Sequence, residues 1–214
     1  IGEMAARFGF GEAFNFGLPG ENRGLIPTPA WKRKTFGQAW HAGETLITSI
    51  GQGFILCTPL QLAVMTSRLV NGGRPVLPRL MKNERAEIQK RKSLQLSPQH
   101  LHTVLKGMDK VVNGSQGTAR KVVDPSMKFQ FGGKSGSVQV KRISLDERES
   151  GKLKNKDRPW RERDHAMFVA FAPLKSPRYV VSVVVEHGGG GSTMAAPIAR
   201  DILAEALRLN PSKL

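Results

Sequence analysis

The residues most able to do chemistry stand together in one short run, Gly132 to Val140, reading GGKSGSVQV. A lysine beside two serine hydroxyls, flanked by glycines where a strand begins, can offer positive charge, hydroxyl donors and exposed backbone N–H groups. That set suits a carboxylate or a developing oxyanion. Glycines at such a place also let a ligand approach the backbone closely. Taken alone, the run reads first as a turn at Gly132-Gly133 followed by a solvated strand-end lysine. A phosphate-binding loop is a sharper rival, because Gly133-Lys134-Ser135 matches its last three positions. That motif needs a glycine where Lys128 stands, and a helix afterwards where this sequence reads as strand.

Other reactive side chains are weaker candidates. Asp164 and His165 form an acid-base pair in sequence, but neighbours at a strand start point to opposite faces, which favours a structural role. His187 precedes four glycines, Gly188 to Gly191, and has no partner at metal-ligand spacing, so it reads as a loop-packing residue. No metal and no cofactor is expected. Cys57 is the single cysteine, cannot form an internal disulfide, and is expected to be a small core residue. Trp31, Phe36 and Trp40 are expected to pin a loop in preference to stacking on a partner.

The elements that must position these groups follow from periodicity and punctuation. Ile1 to Phe10 reads as the end of a helix, and Gly11 to Gly43 as an irregular, loop-rich connection. Thr58-Pro59 opens a helix with Leu60, Ala63, Val64 and Leu69 on one stripe and Asn71-Gly72 closing it. Ser97-Pro98 opens another, with Leu101, Val104, Leu105, Met108, Val111 and Val112 at helical spacing. Strands are expected at Lys128 to Phe131, Ser137 to Ile143, Ala166 to Ala172 and Tyr179 to Glu186, the last fully buried along Val180 to Val185. A final helix should run from about Ala195 to Leu209. The short Pro173 to Pro177 connection is hairpin-like, which makes the sheet antiparallel and the fold class α/β or α+β.

The 214 residues, 39% of them hydrophobic, suffice for one domain or most of one. No run approaches the roughly 18 to 20 apolar residues of a membrane-spanning helix, and nothing at the start reads as a signal peptide. The net charge of +16, from 33 Lys and Arg against 17 Asp and Glu, attracts polyanions of any kind. Much of the excess lies in Arg79 to Lys92 and Lys141 to Asp164, and residues 144–163 are expected to form a mobile, solvated basic loop. A non-enzymatic basic module for nucleic acid or anionic polymer is the alternative that this charge suggests, although no nucleic-acid motif accompanies it.

Lys134-Ser135-Gly136 resembles the Lys-Ser/Thr-Gly motif of the serine penicillin-binding proteins and β-lactamases. Its context narrows the likeness. Glu44 to Pro78, with the helix that opens on Thr-Pro, is similar to the segment before that motif in elongation-type class B penicillin-binding proteins, most closely the penicillin-binding protein two subfamily. GSQGTAR from Gly114, RDHAMFVAFAP from Arg163 and the glycine run before the last helix also fit, so the resemblance covers nearly the whole chain. It implies an antiparallel sheet flanked by helices, of which residues 1–214 supply the C-terminal portion of a transpeptidase domain.

The resemblance further implies a peptidoglycan D,D-transpeptidase working through a serine acyl-enzyme on D-alanyl-D-alanine stem peptides and on β-lactams. Lys134 would place charge near the nucleophile, Ser135 and Ser137 would grip the terminal carboxylate, and Gly136 would leave room for substrate along the strand. Ser137 stands where threonine is frequent and keeps the hydroxyl. The family's nucleophile motif S-x-x-K and second motif S-x-N are absent from this chain; Thr103 to Lys106 is the nearest approach, and Ser126 has its lysine one residue too near at Lys128. Chemistry by this chain alone is therefore not expected. The intact protein would lie at the periplasmic face of the inner membrane with a glycan polymerase and other elongation-complex proteins, and without nucleic acid as a partner.

Overall fold

The computed structural model describes residues 1–81, 93–141, 149 and 155–210. Within them the chain divides into two compact units, residues 1–96 and 97–214. The first unit holds four helices: α1 (Gly2–Phe8), α2 (Pro29–Phe36), α3 (Ala42–Ser49) and α4 (Pro59–Val70). The second holds α5 (Pro98–Asn113), three strands, β1 (Gly132–Val138), β2 (His165–Ala172) and β3 (Tyr179–Val185), and the closing helix α6 (Ala196–Leu209).

Helix α4 starts where Thr58 and Pro59 require. The Thr58 hydroxyl accepts from the Gln61 amide at 3.1 Å, and Gln61 Oε1 accepts from the Thr58 amide at 3.0 Å, a reciprocal capping box. Gln61 is 1% exposed, and its Nε2 donates to the carbonyls of Glu12 at 3.0 Å and Arg23 at 2.7 Å, so one amide also fastens the preceding loop. The buried stripe of α4 is accordingly part polar: Gln61, Val64, Thr66 and Arg68 are buried, whereas Leu60, Ala63 and Leu69 are half-buried. Buried Arg68 donates through its two terminal nitrogens to the carbonyls of Arg7 at 2.8 Å and Val76 at 3.1 Å.

The expectation of an irregular stretch from Gly11 to Gly43 is corrected by α2. Thr28 caps it by accepting from the Trp31 amide at 3.1 Å, and Pro29 takes the first turn, the same punctuation as at Thr58-Pro59. Trp31, Phe36 and Phe54 form an aromatic cluster with centroids 5.3 to 5.6 Å apart, Trp31 meeting both phenylalanines edge-on. Helix α3 was also unforeseen. Its first turn is held by Glu44, which accepts from the His41 amide at 2.7 Å and pairs with the buried Lys32 at 2.6 Å. Cys57 is exposed, not a core residue, because it precedes the helix in an open segment.

In the second unit the strands form an antiparallel sheet in the order β1-β2-β3. The register sets Ala166 opposite Val185, Phe168 opposite Val183 and Ala170 opposite Val181. Period-two alternation turns these pairs toward one face, where they meet Ala195, Ala196, Ala199, Leu203 and Leu207 along α6 and its approach, together with Val112 of α5. Fully burying side chains such as Phe168 or Leu203 contributes roughly 1.5–3 kcal/mol each. The antiparallel, helix-flanked class expected from the sequence is the observed one.

Three strand expectations are corrected. Residues 128–131 are not a strand, and the strand expected at Ser137 to Ile143 lies earlier, at Gly132–Val138; residues 142 and 143 fall outside the described residues. Of β3 only Val183 is buried, since β3 is an outer strand of the described sheet and shares one face with the core. Of the basic segment 144–163, residues 144–148 and 150–154 lie outside the described residues. Residues 155–157 and 160–162 make single 3-10 turns, with Arg158 buried 3.6 Å from Asp164.

Candidate active site

Placing the whole of Gly132–Val138 in β1 changes what its glycines do. Gly132 and Gly133 are buried, and a Cβ there would come within 2.8 Å of the Phe171 and Phe168 rings. They make room for the sheet's own aromatic side chains rather than for a ligand. The next four residues carry the polar groups: Lys134 pairs across to Val169, Ser135 to Phe168, Gly136 to Met167 and Ser137 to Ala166. Alternation puts Lys134 and Gly136 on one face of β1, and Ser135 and Ser137 on the other. β1 pairs with β2 along one edge only, so half of its peptide groups point to an edge without a strand among the described residues.

Lys134 is exposed, with its ammonium donating to the Ser135 carbonyl at 2.6 Å. The Ser135 hydroxyl lies 3.5 Å from the hydroxyl of Thr118, either of which can donate. Thr118 reaches this place because the chain turns back sharply after α5: the Gly117 amide donates to the Gly114 carbonyl at 3.0 Å, and the Ala119 amide to the Val111 carbonyl at 2.9 Å. Thr118 belongs to the GSQGTAR run but is not among the site residues expected from the sequence. Its signal was a threonine directly after Gly-Ser-Gln-Gly at a helix end, a place where a side chain is turned out of the helix.

The Ser137 hydroxyl donates to the Gly189 carbonyl at 3.4 Å, in the glycine run between β3 and α6. That run is fastened from three sides. The Gly189 amide donates to the Asp164 carbonyl at 2.8 Å, the Gly188 amide to the Val185 carbonyl at 3.1 Å, and the His187 amide to Nδ1 of His165 at 2.9 Å. Gly191 then opens a π turn, Gly191–Ala195, pressed so closely on the sheet that a Cβ there would stand 2.2 Å from the Met167 carbonyl oxygen and 2.5 Å from that of Gly136. The glycine run is therefore part of the wall behind β1.

His187 packs in the manner expected of a loop residue. Its ring lies 4.5 Å from Trp160 and 4.6 Å from His165, and its Nδ1 is 3.0 Å from the Arg163 carbonyl, to which it can only donate. Asp164 lies beside Arg158, and its amide donates to Asn155 Oδ1 at 3.0 Å. Neither Asp164 nor His165 is hydrogen-bonded to Lys134, Ser135 or Ser137 by any contact above. Among the described residues no three His, Cys, Asp or Glu side chains come together as a metal would need. No described helix is long and apolar enough to cross a membrane. Thr103, nearest to a nucleophile motif, is on α5 and donates its hydroxyl to the Gln99 carbonyl at 2.9 Å.

A charged amine, two hydroxyls and free peptide edges on one rigid strand can bind a carboxylate and polarise a carbonyl, but they offer no activated nucleophile. The model of the penicillin binding protein transpeptidase domain matches residues 1–204. The chain is 38% identical over 204 residues to the peptidoglycan D,D-transpeptidase MrdA of Haemophilus influenzae, covering 92% of this chain and 31% of that protein. It is 32% identical over 209 residues to the MrdA of Acinetobacter baumannii, covering 92% and 30%. Among solved structures, Pseudomonas aeruginosa PBP2 in complex with WCK 5153 superimposes with a TM-score of 0.80 at 38% identity, over 96% of this chain and 43% of that one. Helicobacter pylori PBP2, in its complex with MreC, gives 0.82 at 30% identity over 98% and 36%. The chain thus spans about a third of the length of the curated relatives it matches.

Proposed function

Since the chain belongs to the penicillin-binding protein transpeptidase domain family, we propose that it supplies the strand side of a serine D,D-transpeptidase site that cross-links peptidoglycan, with the nucleophile contributed by residues outside this sequence. The observation that carries this reading is the single exposed strand bearing Lys134, Ser135, Gly136 and Ser137, backed by Thr118 and by the glycine run. A stem peptide ending in D-alanyl-D-alanine lies along the open edge of β1. The Ser135 and Ser137 hydroxyls take its terminal carboxylate, the Ser137 amide donates to the carbonyl oxygen as negative charge develops there, and Lys134 lowers the cost of that charge. The serine attacks the carbonyl carbon, D-alanine leaves, and an amine of a second stem peptide resolves the ester.

β-Lactams would enter by the same route, and a membrane-anchored protein at the periplasmic face with a glycan polymerase and elongation partners is the proposed setting. A basic module for nucleic acid is not favoured, because the residues that match the family run through the whole charged chain. The test is a longer protein read from the frame upstream of Ile1, labelled with a fluorescent penicillin. We expect an in-frame S-x-x-K serine to be acylated, and Lys134→Ala to slow acylation by about a hundredfold or more. The 214-residue chain by itself should give no covalent adduct in intact-mass measurement. A penicillin adduct on the chain alone, or acylation indifferent to Lys134→Ala, would refute the assignment.

A further inference from the structure

We propose that His165 is a positioning residue for the carboxylate end of β1, holding the glycine run in the place from which Gly189 meets Ser137. The inference rests on the carboxylate role given to Ser137 above. His165 is the first residue of β2 and stands opposite Val138, the last residue of β1. Its Nδ1 accepts the His187 amide at 2.9 Å. An acceptor nitrogen in an imidazole carries no proton, so the His165 proton sits on Nε2. His187, in turn, is held at a positive φ of 55°, a left-handed conformation uncommon outside glycine although histidine tolerates it better than most.

The contacts that hold it there are specific. His187 is gripped through its amide by His165 and through its ring Nδ1 by the Arg163 carbonyl at 3.0 Å, with Trp160 against the ring. Two residues on, the Gly189 amide is tied to the Asp164 carbonyl at 2.8 Å, and the Gly189 carbonyl takes the Ser137 hydroxyl at 3.4 Å. The path from His165 to Ser137 is therefore three residues of loop, His187 to Gly189, fixed at both ends by hydrogen bonds to the chain around the start of β2. Releasing the His187 amide frees a residue in a sparsely populated backbone conformation, and the Gly189 carbonyl moves with it.

The experiment uses the 214-residue chain, with nitrogen NMR of the His165 ring and amide exchange as readouts. We expect Nδ1 of His165 to be bare, with a through-hydrogen-bond coupling to the His187 amide nitrogen. His165→Leu should speed exchange of both the His187 and the Gly189 amides by roughly fivefold or more, the loss of about one hydrogen bond, and should shift the Ser137 resonances. His165→Asn places an oxygen acceptor near the position of Nδ1 and should restore both. A proton on Nδ1 of His165, or a His165→Leu chain that exchanges faster at His187 but leaves Gly189 and Ser137 as they were, overturns the proposal. If His165→Leu fails to fold, the tautomer of the native ring and the behaviour of His165→Asn still decide. None of these signals needs substrate, so their failure is distinct from failure of the penicillin-labelling test.

Discussion

Replacing Gly191 by alanine puts one carbon atom where the fold has no room for it. The Cβ would stand 2.2 Å from the Met167 carbonyl oxygen, 2.5 Å from that of Gly136 and 3.0 Å from the Gly136 amide nitrogen. All three are backbone atoms of paired strands, so no flexible side chain can yield. Side-chain carbons essentially never come nearer than 3.0 Å, which leaves the new atom about 0.8 Å too close to one oxygen and 0.5 Å too close to another. Relief requires the π turn and the start of α6 to lift from β1 and β2. Overpacking of this kind costs about 1–3 kcal/mol, and two unyielding contacts put the value near the upper end. For a unit of this size that is a fall in Tm of about 10 °C. The control is Gly136→Ala, whose Cβ would meet only the Met167 Cβ at 3.5 Å, an ordinary contact. Thermal melting followed by circular dichroism separates the two. A Gly191→Ala chain that melts within a degree of the parent, or a Gly136→Ala chain that falls as far, would refute the close-packing argument.

Gln61→Ala removes half of the α4 capping box and leaves the Glu12 and Arg23 carbonyls without their donor, so denaturant titration should show a loss of about 2–3 kcal/mol. Gln61→Glu should be no better, since a carboxylate would face the same two carbonyl oxygens. The His41 amide and then Lys32 hold the Glu44 carboxyl below its ordinary pKa. A lowered folded-state value means the contribution is complete above the unfolded pKa of about 4.3 and is lost as pH falls through the folded value. Melting temperatures measured from neutral to acid should therefore drop less steeply below that point in Lys32→Met than in the parent, and an identical drop would exclude the pair as a source of acid sensitivity.

The parts of this fold that the sequence announced are those whose signal is local. Thr58-Pro59, Ser97-Pro98 and the apolar spacing of Met108 and Val112 are statements about one turn or one face, and the helices stand where those statements put them. Thr28-Pro29 carried the same punctuation, but the surrounding Gly, Pro and Asn content masked it, and an eight-residue helix offers too few turns for periodicity to outweigh composition. The position of β1 was misread because glycines depress strand propensity. Gly132 and Gly133 are in the strand because Phe168 and Phe171 on the neighbouring strand need their space, a fact about residues some 35 positions away. In the candidate site, Lys134 to Ser137 was legible as a motif. Thr118, Gly189 and Gly191 join it through the turn after α5 and the return of the chain from β3; the GSQG run and the four glycines mark those turns locally, but not that they bring these residues to Ser135, Ser137 and Gly136.

One feature of Ser137 bears on what the proposed site would select. A hydroxyl owns a single proton, and here it is lent to a neutral carbonyl across 3.4 Å, a long and weak bond. A carboxylate drawn to the edge of β1 would compete for that proton and win it, because hydrogen bonds to an ionised acceptor are roughly twice as strong as neutral ones. A peptide ending in a carboxamide offers the hydroxyl nothing better than Gly189 already does. Discrimination between a free chain terminus and an interior peptide would then lie in the contest between two acceptors for one proton, with the resting carbonyl setting the threshold an incoming group must exceed.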